Sequence, residues 1–207
     1  MKKVWKSRRL DEEGEMGVGT LLIFIAMILV AAVAASVLVQ TAYKLQQQAE
    51  STGDEALQEV ATGFRVLSVW GMTDSASAVI DTIFIKVTLT AGSPGINLAD
   101  TVIEVTQTIG GSTSSEVTLS YSSTAADADK FTASVLRDMA PTTTAAMMTG
   151  GDVFQIELDL NSTGGIAMEL DVQEQITVVL FPKHGIPTYI EITAPPTLEA
   201  NSVVTLK

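Results

Sequence analysis

The chain has 207 residues, of which 46% are hydrophobic and only 17% charged, against about 25% charged in an average soluble domain. Twelve basic and 24 acidic residues give a formal net charge of -12, which excludes a nucleic-acid partner, since phosphate binding needs clustered Lys and Arg. With no cysteine and one histidine, disulfide frameworks, thiolate metal sites, cysteine nucleophiles and multi-histidine metal centres are excluded too.

At the N-terminus, Lys2, Lys3, Lys6, Arg8 and Arg9 lie within nine positions that hold no acid. From Glu15 onward there are seven basic and 21 acidic side chains, so a basic head precedes an acidic body. Between them, Met16 to Tyr43 is 28 positions without a charge. As a helix, Gly17 to Val39 would span roughly 34 Å, enough to cross a bilayer. Basic residues before this segment and acidic residues after it place the N-terminus in the cytoplasm and the body outside.

A secretory signal peptide has an apolar region of only about 7 to 15 residues followed by a small-residue cleavage site, and this run is too long for one. Polarity changes instead at Gly14, which separates the hydrophilic leader from the apolar stretch. A cut between Gly14 and Glu15 leaves the apolar segment on the mature protein, as expected of a subunit that needs its helix for assembly. Gly17, Gly19, Ala26, Ala31, Ala32 and Ala35 are interleaved with Leu21, Phe24 and other large apolar residues, a pattern that lets helix backbones approach closely in a dry bundle. A single uncleaved membrane anchor is the alternative that composition leaves open.

Gln40 to Ala61 stays rich in Gln, Ala, Glu and Leu, and no proline occurs before Pro94, so the helix is expected to run on to Thr62, with Gly53 or Gly63 as a bend or end. From Phe64 the pattern changes to alternation, and Ser and Thr supply 34 of 144 residues, suiting strands with hydroxylated exposed faces. Alternating segments fall at 83–89, 102–109, 117–121, 131–135, 154–160 and 176–180. The predicted class is α+β: a long N-terminal hydrophobic helix, residues 15–63, then an all-β sandwich or barrel of immunoglobulin-like type over 64–207.

No nucleophile elbow, P-loop or zincin helix is present, so no catalytic residue is assigned and the chain reads as a non-enzyme. His184, in Pro182-Lys-His-Gly-Ile-Pro187, reads as a surface turn residue. Asp127/Asp129 and Glu169/Asp171 have spacings that suit oxygen ligation of calcium, although solvated loops and strand edges explain them more simply; no cofactor is otherwise expected. Asn161-Ser-Thr163 is an N-glycosylation sequon in a turn-like string, and Thr142-Thr-Thr144 is a polar run.

The string from Gly14 to Ser36 resembles the N-terminus of archaeal flagellins, the archaellins, with their Gly-x-Gly-Thr-Leu motif, here Gly17 to Leu21, and the Ile/Phe/Ala-rich helix after it. Gln40-Thr-Ala-Tyr43, Ser51 to Ala56, Val66 to Gly71, Gly92 to Leu98 and Pro182 to Thr188 resemble later blocks of the family, whereas residues from about 110 to 150 hardly do. The resemblance implies a class III, prepilin-type leader over residues 1–14, cut by a prepilin-peptidase-like membrane protease. It implies mature helices packed in the core of an extracellular motility filament, a helical polymer of self or of paralogous archaellins. Glu13 departs from the basic residue the family usually has before the cleavage glycine. An adhesion-pilus subunit or membrane-anchored surface adhesin is the alternative reading. A bacterial type IV pilin fits less well, because cleavage after Gly14 puts Gly19, not Glu, at mature position five.

Overall fold

The computed structural model describes residues 2–75, 78–109, 112–139, 146–161 and 163–206. Helix α1 runs from Lys2 to Ala61, 60 residues in all, or about 90 Å at 1.5 Å per residue. Its backbone passes Gly14, Gly17, Gly19 and Gly53 without interruption, so the leader and the apolar segment share one helix and Gly53 does not end it. Hydroxyls that would be costly in an apolar setting bond back to the helix itself: Thr20 to the Gly17 carbonyl at 2.9 Å and Thr41 to that of Val37 at 2.8 Å.

The chain forms two compact units, Met1–Asp54 and Glu55–Lys207. The first is helix alone. The second holds the end of α1 and all the strands. There the helix stops because its last carbonyls find partners outside it. The Thr90 hydroxyl donates to the carbonyls of Gly63 at 2.9 Å and Ala61 at 3.4 Å, and the Ile186 N–H donates to the Thr62 carbonyl at 3.1 Å. Gly185 makes that approach possible. Its φ is +111°, and a Cβ there would lie 2.2 Å from the Thr62 oxygen, so only glycine fits.

Eleven strands follow among the described residues: β1 (Phe64–Thr73), β2 (Ile80–Leu89), β3 (Ile96–Asn97), β4 (Val102–Ile109), β5 (Ser112–Ser122), β6 (Lys130–Arg137), β7 (Met147–Met148), β8 (Val153–Asp159), β9 (Gln175–Phe181), β10 (Thr188–Thr193) and β11 (Val203–Leu206). Nine join one sheet in the order β10-β9-β4-β5-β6-β8-β2-β1-β11, and β3 pairs with β7. Every pairing is antiparallel except β5 with β6, where Ser120 to Ser122 run parallel to Lys130 to Thr132. The sheet curls so that Ile83, Ile85 and Val87 of β2 share one core with Ile103 and Val105 of β4 and Ile176 and Val178 of β9. At about 1.5–3 kcal/mol per buried aliphatic side chain, this core is the dominant stabilising term of the second unit.

All six segments expected from alternation fall on strands, namely β2, β4, β5, β6, β8 and β9, with Leu160 one residue past the end of β8. Strand β1 is harder to see, because a bulge between Val66 and Ser68 breaks its period. Trp70 of β1 also stacks on Phe84 of β2 on the outer face, with centroids 4.2 Å apart, which places large apolar residues where alternation expects polar ones.

Asp152 is 1% exposed and staples the loop between β6 and β8. Its carboxylate accepts N–H bonds from Met139 at 2.8 Å and Thr149 at 2.7 Å, and the Thr149 hydroxyl at 2.7 Å. Burial pushes its pKa up, but these hydrogen bonds and the nearby Arg137 charge outweigh burial and hold it below the ordinary 3.8. A lowered folded pKa gives stability that is complete above pH 3.8 and is lost as pH falls through the folded value. Asp152→Asn is therefore expected to lower unfolding stability at pH 7 by about 2 kcal/mol, with the difference from wild type shrinking below pH ~3.8. Denaturant unfolding of both proteins across pH 2 to 7 checks this.

Candidate assembly surface

Between Met16 and Val39, α1 presents large apolar side chains on every side. Leu21 is 57% exposed, Phe24 63% and Val30 70%. An 18-residue window here has mean hydropathy 3.0 and no part buried. A helix that is apolar all round belongs in a membrane or in a bundle of other helices. Fifteen large apolar residues from Met16 to Val39 are exposed; at ~1.5–3 kcal/mol each, covering them is worth on the order of 20–40 kcal/mol. That exceeds the whole stability of an ordinary domain, about 5–15 kcal/mol, so this surface is covered in use.

The small residues show where a cover can come close. Ile23, Ala26, Met27, Val30, Ala31 and Ala34 border a shallow apolar groove along one face, and Ala32 and Ala35 are exposed beside it. A Cβ added at Gly14, Gly17 or Gly19 meets nothing within 4 Å. Each such glycine costs a helix about 1 kcal/mol relative to alanine, and no contact within the chain calls for it. Gly71 and Gly165 differ: a Cβ would lie 2.7 Å from Ile80 and 2.5 Å from the Asp159 carbonyl, respectively. At Gly71 and Gly165 glycine is required by internal packing, whereas at Gly14, Gly17 and Gly19 nothing within the chain requires it.

The cleavage pair Gly14–Glu15 lies inside α1, the Glu15 side chain being outside the described residues. Asn161 follows β8 and is half-buried; its Oδ1 accepts the Thr163 N–H at 2.7 Å, forming the turn that its sequence suggests. Ser162 and the Thr142–Thr144 run lie outside the described residues. Asp127 and Asp129 are exposed in the turn before β6, and the Asp127 carboxylate accepts the Ala128 N–H at 2.8 Å. Asp171 accepts from Val172 in the same way, and Glu169 is half-buried. Among the described residues no three His, Asp or Glu side chains gather as a metal site. His184 is exposed in the loop that closes on the helix end.

Two carboxylate features escaped the motif reading. Burial, with the charges of Asp74 and Asp159, raises the Asp81 pKa against its own hydrogen bonds. On the outer face of the sheet, Glu104 is also pushed up, first by desolvation and then by Glu116 on the neighbouring strand. Register between strands creates both effects, and sequence separation conceals them.

The family described as archaeal-type flagellin matches residues 14–192. Flagellin B2 of Halobacterium salinarum is 34% identical over 201 residues, covering 95% of this chain and 96% of that one. Flagellin B1 of Thermoplasma volcanium is 48% identical over 112 residues, covering 51% of this chain and 45% of that protein. A structure of the archaeal flagellum of Methanospirillum hungatei aligns with TM-score 0.65 and 12% identity, covering 92% of this chain and 98% of the other, a likeness of fold.

Gly19→Leu and Ala32→Phe keep α1 apolar but obstruct close approach of a second helix. Both variants are expected to enter membranes normally and to yield no filaments by electron microscopy. Normal filaments from either would show that close helix packing is not needed.

Proposed function

The chain belongs to the archaeal-type flagellin family and is a structural subunit of the archaellum, an extracellular filament; we propose that it polymerises through α1 after removal of residues 1–14. In this reading the precursor sits in the cytoplasmic membrane with Lys2 to Arg9 inside. A prepilin-peptidase-like protease cuts after Gly14. The mature helix then leaves lipid and packs against copies of itself or paralogous flagellins. The exposed, all-round apolar surface of α1 carries the proposal.

The energetics favour neither state by hydrophobicity alone, because lipid and a helix bundle are about equally apolar. Packing and interfacial contacts decide, and both increase with the number of neighbours. Gly14 also suits the cleavage step: glycine lowers the cost of unwinding the helix at the scissile bond. The sequon at Asn161 is read as a glycan site on the exposed filament. No catalytic group forms part of this reading, and no specific observation favours adhesion over motility.

Mass spectrometry of purified filaments is expected to find Glu15 as the mature N-terminal residue. Recovery of the intact leader in assembled filaments would overturn the processing step.

A further inference from the structure

The β unit is acidic overall, yet its few cations are not scattered. From Phe64 onward there are six basic residues against 16 acidic ones. Strand register gathers three of the six on one outer face. Arg65 pairs across to Thr88, Thr88 to Val153 and Val153 to Arg137, forming one row over β1, β2, β8 and β6. Lys86 lies in the adjoining row, between Ser68 and Gln155. Its alternation with buried Ile85 and Val87 sends it outward. Arg65 and Arg137 are exposed, and the Arg137 guanidinium also donates to the Gly151 carbonyl beside Asp152.

The other half of the sheet has the opposite character. Glu116, Thr106, Thr177 and Glu191 form a single row across β5, β4, β9 and β10. Glu104 lies on the same face, two residues along β4 from Thr106. Burial, and then the neighbouring Glu116, disfavour the charge on Glu104, which a cation brought alongside would relieve. The inward faces of both halves share one core, so both outer faces point away from it, and they adjoin along the β5–β6 pairing, where Ser120 meets Lys130.

We propose that the outer β unit carries a head-to-tail contact in which the basic face at Arg65, Lys86 and Arg137 of one copy seats against the acidic face at Glu104, Glu116 and Glu191 of the next. The occupant is a second copy because each face is the complement of the other on the same chain. A contact between two different faces is heterologous, and a heterologous contact propagates from copy to copy, into a ring where the rotation closes and into an open helical assembly where it does not. The aromatic pair Trp70 and Phe84 lies on this face next to Lys86, in one row with Glu157, so the face is net basic at Arg65, Lys86 and Arg137 with one acid at its border. The aromatic pair adds apolar area to a contact otherwise screened over about 10 Å at 0.1 M salt.

The proposal rests on the reading of the chain as a polymer subunit, and charge reversal in the full chain separates the two. One variant carries Arg65→Glu and Lys86→Glu, a second Glu104→Lys and Glu116→Lys, and a third all four. Filaments sheared from cells are scored for sedimentable polymer and length at 0.05 to 1 M NaCl. Each two-residue variant is expected to lose several-fold in length and sedimentable polymer at low salt and to recover at high salt. The four-residue variant, whose faces are again complementary, is expected to match wild type, as are filaments from cells expressing the first two variants together. Polymer unchanged in both two-residue variants, or a four-residue variant as defective as they are, would overturn the proposal while leaving the helix-driven polymer intact. Absence of filaments even from wild type would remove the polymer reading and this contact with it.

Discussion

A helix whose apolar surface is not covered by its own chain is the constraint on which the rest of the molecule depends. The mean hydropathy of 3.0 in its most apolar window makes water an untenable final environment. The remedies are lipid and other helices, and the proposed function uses them in turn. Its glycines fit the second: a single span in lipid gains nothing from Gly17 and Gly19, each a cost of about 1 kcal/mol to the helix, whereas a bundle gains close backbone contact.

The β unit obeys a different rule, since it buries a core of its own. Its inward faces bury Ile and Val side chains from strands far apart in sequence. Its irregular segments are held by a few polar anchors, Asp152 between Met139 and Thr149 and the bond from the Ile186 N–H to the Thr62 carbonyl. These anchors are where backbone groups would otherwise be buried without partners. Gly185, a glycine required by internal geometry, sits at one of them, unlike those in α1.

Much of this was legible in the sequence because the two units follow different periods. Twenty-eight positions without charge announce the helix, and strict alternation in Phe154 to Leu160 announces a strand. What alternation cannot carry is register. The bulge in β1 hides that strand, and the parallel pairing of β5 with β6 has no local signal. The short β3 and β7 are two residues each, below the length at which a period exists. Site reading met the same limit. The Asp127 carboxylate accepts the N–H of its neighbour Ala128, a local turn contact that its spacing from Asp129 does not announce. The carboxylates that do sense neighbours, Glu104 with Glu116 and Asp81 with Asp74 and Asp159, are distant in sequence or separated by a turn.

The two surfaces also divide the physics of association. Contacts along α1 are dispersion and burial, which added salt does not weaken. Contacts between acidic β units begin from repulsion, because the segment from Phe64 carries 16 acids against six bases. A polymer driven by the helix alone would force those negative units together and retain the repulsion in every subunit pair. Clustering the scarce cations on the face away from Glu104, Glu116 and Glu191 converts part of that repulsion into attraction without altering net charge. It also makes the contact directional, which uniform charge cannot do. Helix packing thus supplies most of the association energy, while the sheet's two outer faces select the orientation in which successive copies add.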